Sequence, residues 1–370
     1  MEQIVERCHS NLLTQTPIVE TPSKDIYNTR KISEGIRLAI ISDIHLFPKT
    51  LLKKQGENFK RYLCNDRKML LDSEKILDAA LSKIIEAKPE VVLITGDLTK
   101  DSEKEAHDML SMKLNVLLEN GIRVFVINGN HDINNPEACM FIEDPKNKSQ
   151  DKRVPVDTIL AKDFKRIYSR YGYSDAIAIH EESLSYVVQL KSGYRLIAID
   201  SGTYGDDPSE QATEGYFREG LIQWIVDQIE VGKSAGDEVI GMMHHGIIEH
   251  FKGHGEIFHS YLVEGWEEAS RIFANAGMRY MFTGHFHGQD VASITTEEGN
   301  TLFDIMTGSL STSPSPIRIV TIENNYSIVI KSDFIEKIEG NENFKDYAKE
   351  FLKDGIPDMA ISLFQSVLLS

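Results

Sequence analysis

Five short polar motifs, each directly after a run of apolar residues, constrain the fold of this chain more than any other feature. They carry aspartates, histidines and an asparagine, and they follow one another as Asp43-Ile44-His45, Gly96-Asp97, Gly129-Asn130-His131-Asp132, Met243-His244-His245 and Gly284-His285-Phe286-His287. A short apolar, β-branched run that stops at polar residues is typical of a buried strand. The motifs therefore predict metal-binding or catalytic side chains at five strand ends.

The spacing of the first three motifs predicts α/β architecture with parallel strands. Apolar runs at 36–41, 91–94 and 124–127 are separated by stretches with helical periodicity at about 68–87 and 103–119. Alternating strands and helices are typical of parallel sheets, which bind ligands just beyond the carboxyl ends of their strands. Asp43, Asp97 and Asn130 each follow such a strand.

The rest of the chain is divided by composition and periodicity. Residues 1–34 are predicted to form an N-terminal arm, 35–332 the catalytic domain, and 333–370 a C-terminal helical extension with two helices around Gly355-Ile356-Pro357. Within the catalytic domain, the polar stretch 134–183 is interpreted as an insertion with one helix at 157–171. Further elements are a hairpin at 186–199, helices near 219–231 and 264–276, and strands near 239–243, 280–282, 289–295, 301–306, 317–323 and 326–330.

Composition limits the class of partner and the compartment. The 370 residues are 41% hydrophobic, so the chain is expected to fold, and its formal charge of −17 disfavours nucleic acid, which needs Lys and Arg to neutralise phosphates. A small phosphodiester remains compatible, because bound metal ions can override the negative background. No apolar run approaches the roughly 18 residues of a membrane span, and no signal segment is visible.

The three cysteines, Cys8, Cys64 and Cys139, are widely spread and lack C-x-x-C spacing. This pattern argues against a disulfide framework and against a thiolate zinc site. A cytoplasmic location is therefore the default expectation, although an exported or lipid-anchored form whose signal had been removed would show the same sequence.

The residue types in the motifs suit a two-metal centre for hydrolysis of a phosphate ester. Two cations about 3.5–4 Å apart can neutralise phosphoryl oxygens and generate a hydroxide, and carboxylate and neutral imidazole ligands suit Mn, Fe, Zn or Co. On an extended segment the side chains of Asp43 and His45 would point to one face, as would those of His285 and His287, because strand side chains alternate.

The Gly129-Asn130-His131-Asp132 motif supplies three different functions on this interpretation. Asn130 offers a neutral amide oxygen as a ligand, and His131 is the candidate general acid for the leaving oxygen. Asp132 is expected to orient this region by hydrogen bonding.

Taken together, the motifs resemble those of the calcineurin-like metallophosphoesterase superfamily. The resemblance implies a four-layer αββα sandwich of two mixed β-sheets flanked by helices, with two divalent metal ions, manganese or iron being favoured. It implies that one ion is held by Asp43, His45, Asp97 and His287, and the other by Asp97, Asn130, His244 and His285. It also implies that His131 is the catalytic histidine and that a hydroxide shared by the two ions attacks phosphorus.

Departures from the motifs of other branches narrow the expected substrate. Asp97 is followed by Leu98-Thr99-Lys100-Asp101 rather than by the Asp-Arg-Gly of protein phosphatases, and Lys100 replaces the tyrosine of purple acid phosphatases. The pattern is similar to the bacterial class III cyclic nucleotide phosphodiesterase branch. It predicts hydrolysis of cyclic nucleotides or related small phosphodiesters. The alternatives are a phosphomonoesterase, a nucleotide or lipid pyrophosphatase with the same metals, or a metal-binding scaffold without turnover.

Several further residues are assigned from their neighbours in the sequence. His245 is expected to lie behind the ligands or to contact substrate, and His250 and His254 to lie on a solvated or substrate-facing loop. Phe286 is expected to pack in the core, the alternative being a base-stacking platform. Lys100 and His107 are predicted at the surface, the alternative for Lys100 being that it raises the local positive potential. Arg318 is predicted in a structural salt bridge, the alternative being a contact with a phosphate.

Overall fold

The computed structural model describes residues 34–66, 68–205, 207, 209, 212–325 and 327–355. Nearly all of the predicted N-terminal arm and the second predicted helix of the C-terminal extension lie outside these residues.

The described residues form fourteen strands and eight α-helices. The strands are β1 (Ile36–Ile41), β2 (Val91–Thr95), β3 (Arg123–Ile127), β4 (Cys139–Glu143), β5 (Asp151–Pro155), β6 (Ala176–Ile179), β7 (Tyr186–Lys191), β8 (Tyr194–Ile199), β9 (Glu238–Met243), β10 (Tyr280–Thr283), β11 (Asp290–Thr295), β12 (Thr301–Met306), β13 (Pro316–Ile322) and β14 (Ile328–Phe334). The helices are α1 (Glu57–Asp66), α2 (Ser73–Ala87), α3 (Lys104–Glu119), α4 (Ala161–Ile167), α5 (Leu221–Ala235), α6 (His254–Ile257), α7 (Trp266–Ala276) and α8 (344–355).

Two mixed sheets face each other. The first has five strands in the order β14-β13-β1-β2-β3. Strands β1, β2 and β3 are parallel, β13 is antiparallel to β1, and β14 is antiparallel to β13. The second has seven strands in the order β11-β12-β10-β9-β8-β7-β6, with β8, β9, β10 and β12 parallel. The parallel strands are buried on both faces, which is why their sequences are continuous apolar runs rather than alternating ones.

Helices cover the outer face of each sheet and complete the predicted four layers. The apolar faces of α2 and α3, including Leu77 and Leu110, share one hydrophobic core with the first sheet and with the inner face of the second. A separate core joins the outer face of the second sheet to α5 and α7 through residues such as Ile225 and Phe273. The αββα prediction is thereby confirmed.

The insertion at 134–183 differs from its prediction. It contains the antiparallel hairpin β4–β5, which was not predicted, and its helix α4 spans only Ala161–Ile167 before two 3₁₀ turns. The hairpin gives a weak sequence signal because only alternate residues of β4 are buried and β5 is largely exposed. Its buried side chains, Cys139 and Phe141, pack against Phe47 and Phe59 in a small separate core.

The C-terminal part of the described chain packs against the main core. Strand β14 continues to Phe334, and Phe344 and Ala348 of α8 join the same hydrophobic cluster as the first sheet. Within the described residues, no helix is both long and apolar enough to cross a membrane.

Candidate metal centre

Seven predicted ligands converge at the carboxyl ends of five parallel strands. Asp43 and His45 follow β1, Asp97 follows β2, Asn130 follows β3, His244 follows β9, and His285 and His287 follow β10. Three of these strands belong to the first sheet and two to the second. The centre therefore lies where the two sheets meet, and neither sheet could form it alone.

Five of these residues have left-handed backbone conformations. The φ angles are 51° at Asp43, 43° at His45, 48° at Asp97, 66° at His285 and 58° at His287. Such φ values cost side-chain-bearing residues on the order of 1–3 kcal/mol each and persist only where the surrounding structure imposes them. The expectation that the two x-spaced pairs lie on extended strands is wrong. Tight loops, not strand alternation, direct these side chains inward.

Glycines allow the loops to approach one another. Gly96 has φ 95°, and a Cβ there would lie 2.5 Å from Nδ1 of His244. A Cβ at Gly284 would collide with the Ser42 hydroxyl and lie 2.6 Å from Oδ2 of Asp43. These two positions therefore need glycine for clearance around ligand side chains, and Gly96 also for its backbone angle.

Asp43, His45, Asp97 and His287 form the first group of candidate ligands, called here the first ligand group. His45 Nε2 lies 3.4 Å from Asp97 Oδ2 and 3.2 Å from His287 Nε2. His287 Nε2 in turn lies 3.4 Å from Asp43 Oδ1. Two imidazole nitrogens and two carboxylate oxygens thus face a common centre.

Asp97, His244 and His285 form the second group, and Asp97 belongs to both. His244 Nε2 lies 3.4 Å from Asp97 Oδ1 and 3.2 Å from Asn130 Oδ1. One oxygen of the Asp97 carboxylate therefore faces each group, as a carboxylate that bridges two cations requires.

Hydrogen bonds behind the ligands fit metal binding. His244 Nδ1 donates to the carbonyl oxygen of Thr95 at 2.8 Å, and His285 Nε2 donates to that of Ser260 at 3.2 Å, so each ring directs its other nitrogen to the centre. Metal-binding histidines are usually held in this way. Asp43 Oδ1 is buried and makes no hydrogen bond among the described residues, which leaves it available to a cation.

The electrostatics of the groups also favour bound positive charge. Burial by itself would raise the pKa of Asp97, but His244, His131 and His45 hold that pKa well below its usual range. Burial would lower the pKa of His244, but Asp97 raises it to about 9. A proton or a metal ion is thus stabilised between these two residues, and the donor set of imidazoles, carboxylates and an amide fits divalent transition metals.

His131 lies beside the shared carboxylate. Its backbone N–H donates to Asp97 Oδ1 at 3.0 Å, and its Nε2 lies 4.0 Å from Asp97 Oδ2. Its Nδ1 donates to Asp101 Oδ1 at 2.8 Å. Burial and the charge of Lys68 act to lower the pKa of His131, but Asp97 and Asp101 raise it overall. Asp101 thereby holds the ring with Nε2 directed towards the centre.

Asp101 is itself fixed by a buried lysine. Lys100 is fully buried, forms ion pairs with Asp101 and with Glu103, the latter at 2.9 Å, and lies 4.6 Å from the centre of the Tyr62 ring. The prediction of Lys100 as a surface residue is wrong, because two acidic partners compensate its burial. Asp101 was not singled out from the sequence; the available signal was a carboxylate four residues after the Gly-Asp motif.

Asp132 binds backbone groups. Its carboxylate accepts hydrogen bonds from the N–H groups of Leu98 at 3.1 Å, Thr99 at 3.0 Å and Gly129 at 2.8 Å. These bonds tie the loop after β2 to the loop after β3. Asp132 therefore fixes the relative positions of Asp97 and Asn130.

Comparison with known proteins identifies the family. The sequence profile of calcineurin-like phosphoesterases matches residues 36–289. The chain belongs to the calcineurin-like phosphoesterase family. It is accordingly a metal-dependent phosphoesterase.

The solved structures that this phosphoesterase is similar to share little sequence with it. A dimetal phosphatase from Danio rerio is 14% identical, with a TM-score of 0.48 over 80% of this chain and 98% of that one. A second solved structure is 12% identical, with a TM-score of 0.47 over 81% of this chain and 99% of the other. No curated protein matches the sequence.

Two histidines of the phosphoesterase lie in buried hydrogen-bond networks near the ligands. His245 Nδ1 lies 2.8 Å from Ser201 Oγ, its Nε2 donates to the Thr213 carbonyl at 2.9 Å, and burial lowers its pKa to about 3. Its ring packs 4.5 Å from that of His285. His107 is also fully buried, with Nδ1 2.8 Å from the Tyr168 hydroxyl, so its predicted surface position is wrong.

The residues predicted on a solvated loop are largely buried. The His250 side chain is 1% exposed and lies between two carboxylates, with Nδ1 3.2 Å from Asp290 Oδ2 and Nε2 3.5 Å from Asp304 Oδ2. His254 is buried and stacks on Phe251 at 4.7 Å. Arg318 is buried and donates to the carbonyl oxygens of Asp290 and Met306, rather than forming the predicted salt bridge.

Proposed function

We propose that this phosphoesterase hydrolyses small phosphodiesters, cyclic nucleotides among them, with two divalent ions, manganese or iron being favoured. The observation that carries the proposal is the Asp97 carboxylate, which faces both ligand groups and has His131 beside it. Such an arrangement provides a place for two cations and a proton donor next to the same phosphoryl group.

Each side chain has a defined task on this proposal. When bound, the two ions would neutralise phosphoryl oxygens and supply hydroxide at neutral pH. His131 gives a proton from Nε2 to the leaving oxygen, and Asp101 keeps Nδ1 protonated and the ring oriented. The side chains of His131 and His287 are 23% and 27% exposed, so substrate would enter on their side.

The preference for diesters is supported by the residues that follow Asp97. Lys100 occupies the position of the metal-binding tyrosine of purple acid phosphatases, and its ammonium group forms ion pairs with Asp101 and Glu103. The Asp-Arg-Gly sequence of protein phosphatases is missing there as well.

A panel of metals and substrates tests the proposal. Metal-stripped protein is loaded with Mn, Fe, Co or Zn, and hydrolysis of bis-p-nitrophenyl phosphate, p-nitrophenyl phosphate, and 2′,3′- and 3′,5′-cyclic nucleotides is measured. We expect diesters to be cleaved faster than the monoester, with Asp97→Ala as the inactive control. Preference for the monoester would favour a phosphomonoesterase, and cleavage of nucleotide or lipid diphosphates alone would favour a pyrophosphatase. No turnover with any metal would favour a binding scaffold.

A further inference from the structure

Four aromatic side chains pack around one another beside the second ligand group. Phe286, between the ligands His285 and His287, lies 5.7 Å from the ring of Phe251, 5.5 Å from that of Phe258 and 5.1 Å from that of Tyr261. All four residues are half-buried, so each remains partly accessible to solvent. We call Phe251, Phe258, Tyr261 and Phe286 the aromatic platform.

The platform is in direct contact with the metal centre. The ring of Tyr261 packs 4.8 Å from that of His285, and the preceding residue, Ser260, accepts the hydrogen bond from His285 Nε2. The segment that carries three of the four rings therefore also orients a ligand. A group lying on the platform would be a neighbour of the phosphoryl group at the centre.

The platform and the His131 side chain contact ligands of different groups. The His131 ring packs 4.9 Å from that of His45, in the first ligand group, whereas the platform packs on His285, in the second. The leaving group must lie at His131 to receive its proton. The platform is thus placed to contact the substituent that stays on phosphorus.

We propose that the aromatic platform binds a planar ring, a nucleobase, on the non-leaving side of the phosphodiester; this rests on the function proposed above. Partly exposed aromatic faces stack on any base, because every base has a π-face. An alkyl chain would gain burial but no stacking, so the two kinds of substituent can be separated by experiment.

Three diesters with one leaving group test the proposal on the metal-loaded protein. Methyl, hexyl and thymidine 5′-esters of p-nitrophenyl phosphate lose the same p-nitrophenolate, so differences in kcat/KM report on the other substituent. We expect the thymidine ester to exceed the methyl ester by about fivefold or more. Equal rates for thymidine and methyl esters, or an equal gain with hexyl, would overturn the proposal.

Variants locate the preference on the platform. Phe258→Leu keeps an apolar side chain without a ring, and the Phe258 ring packs against those of Phe251, Tyr261 and Phe286 rather than against a ligand. It is expected to lower the thymidine-to-methyl ratio about fivefold. Ile257→Ala, next in sequence and 52% exposed, is the matched control and should leave the ratio unchanged. An unchanged ratio in Phe258→Leu at normal metal content would contradict the assignment.

Binding provides a readout that does not depend on turnover. Calorimetry with thymidine 5′-phosphate and methyl phosphate, in the presence of metal, should give a ratio of dissociation constants of about five or more, reduced in Phe258→Leu. If no diester is cleaved but thymidine 5′-phosphate still binds more tightly, the proposed function is wrong and the assignment of the platform as a nucleobase site is retained. If diesters are cleaved and the preference is missing, only the platform fails.

Discussion

Two buried charge networks support the loops that carry the candidate metal ligands, and the two networks end on different groups. Beside the first sheet, Lys100, Asp101 and Glu103 form a network whose outer end is the His131 side chain. Beside the second sheet, Asp304 accepts bonds from the backbone of Ile247 and Ile248 and from the Thr283 hydroxyl, and lies next to His250.

The difference between the two networks shows two roles for buried charged groups: orienting a side chain and satisfying backbone groups. The network of Lys100 orients a side chain that would move a proton, so its loss should appear in turnover. The network of Asp304 satisfies backbone groups of the loop after β9, so its loss should appear in stability. Asp101 and Asp304 are both buried carboxylates beside the candidate metal centre, but they are expected to have different roles. The role of each is set by the group that it holds: the His131 side chain for Asp101, and backbone N–H groups for Asp304.

The largest loss of metal and activity is expected at Asp97, on which both ligand groups depend. Asp97→Ala removes the carboxylate shared by both ligand groups. We expect bound metal to fall from two ions to nearly none and hydrolysis to fall to background, as measured by elemental analysis and assay of the same sample. A variant that keeps two ions would show that Asp97 is not shared.

The next largest loss of activity is expected at His131, the side chain at the end of the Lys100 network. His131→Ala should retain both ions, because His131 is not a member of either ligand group, and should lower kcat by about 10²–10⁴-fold through loss of the proton donor. Normal kcat at full metal occupancy would refute the assigned role.

Matched substitutions at two buried carboxylates compare the networks directly. Asp101→Asn weakens the hold on His131 and should lower kcat about 10–100-fold. Asp304→Asn should leave kcat per metal-loaded molecule within about threefold, but reduce the free energy of unfolding by about 1–3 kcal/mol through its weakened bonds to buried backbone groups.

Denaturant unfolding and kinetics on the same two variants provide the measurement. Similar losses of kcat in both, at equal metal content, would remove the distinction between the networks.

The last prediction concerns pH and the network of Asp304. Burial opposes charge on His250, but Asp290 and Asp304 raise its pKa to about 9, above the unfolded value of about 6.5. Protonated His250 therefore contributes to the stability of the folded state. This contribution is complete below about pH 6.5 and is lost as pH rises through 9, and it amounts to on the order of 3 kcal/mol.

Unfolding of wild type and His250→Gln at pH 6 and pH 9.5 isolates this contribution. Because other titrating groups affect both proteins alike, the difference between their free energies of unfolding should be large at pH 6 and should shrink at pH 9.5. A difference that stays constant with pH would contradict the assigned charge on His250.

The fold could be predicted where apolar runs were long and uninterrupted. Strands β1, β2, β3 and β9 are buried on both faces, so their sequences are unambiguous, and the helices between them show regular periodicity. The β4–β5 hairpin and the short strand β6 could not be predicted in the same way. Their residues alternate between buried and exposed positions or are mostly polar, and tertiary contacts decide their pairing.

The burial of titratable side chains was the other feature that local sequence did not predict. Lys100, His107 and His250 were expected at the surface or on a solvated loop, but their side chains are buried. Each is buried because its partners come from elsewhere in the fold or from the following turn. Local sequence does not show which of these side chains lie inside the fold, because a polar side chain can be buried only where the folded molecule provides its partners.

What the sequence determined by itself was the set of donors and their order: one or two polar residues after each of five buried strands, with the types that divalent metals bind. Tertiary structure decided how those donors meet. Left-handed loop conformations, the close approach of glycines, and the junction of two sheets bring Asp97 between the groups of His45 and His244. The reason is physical, since strained backbone persists only where packing of the whole molecule imposes it.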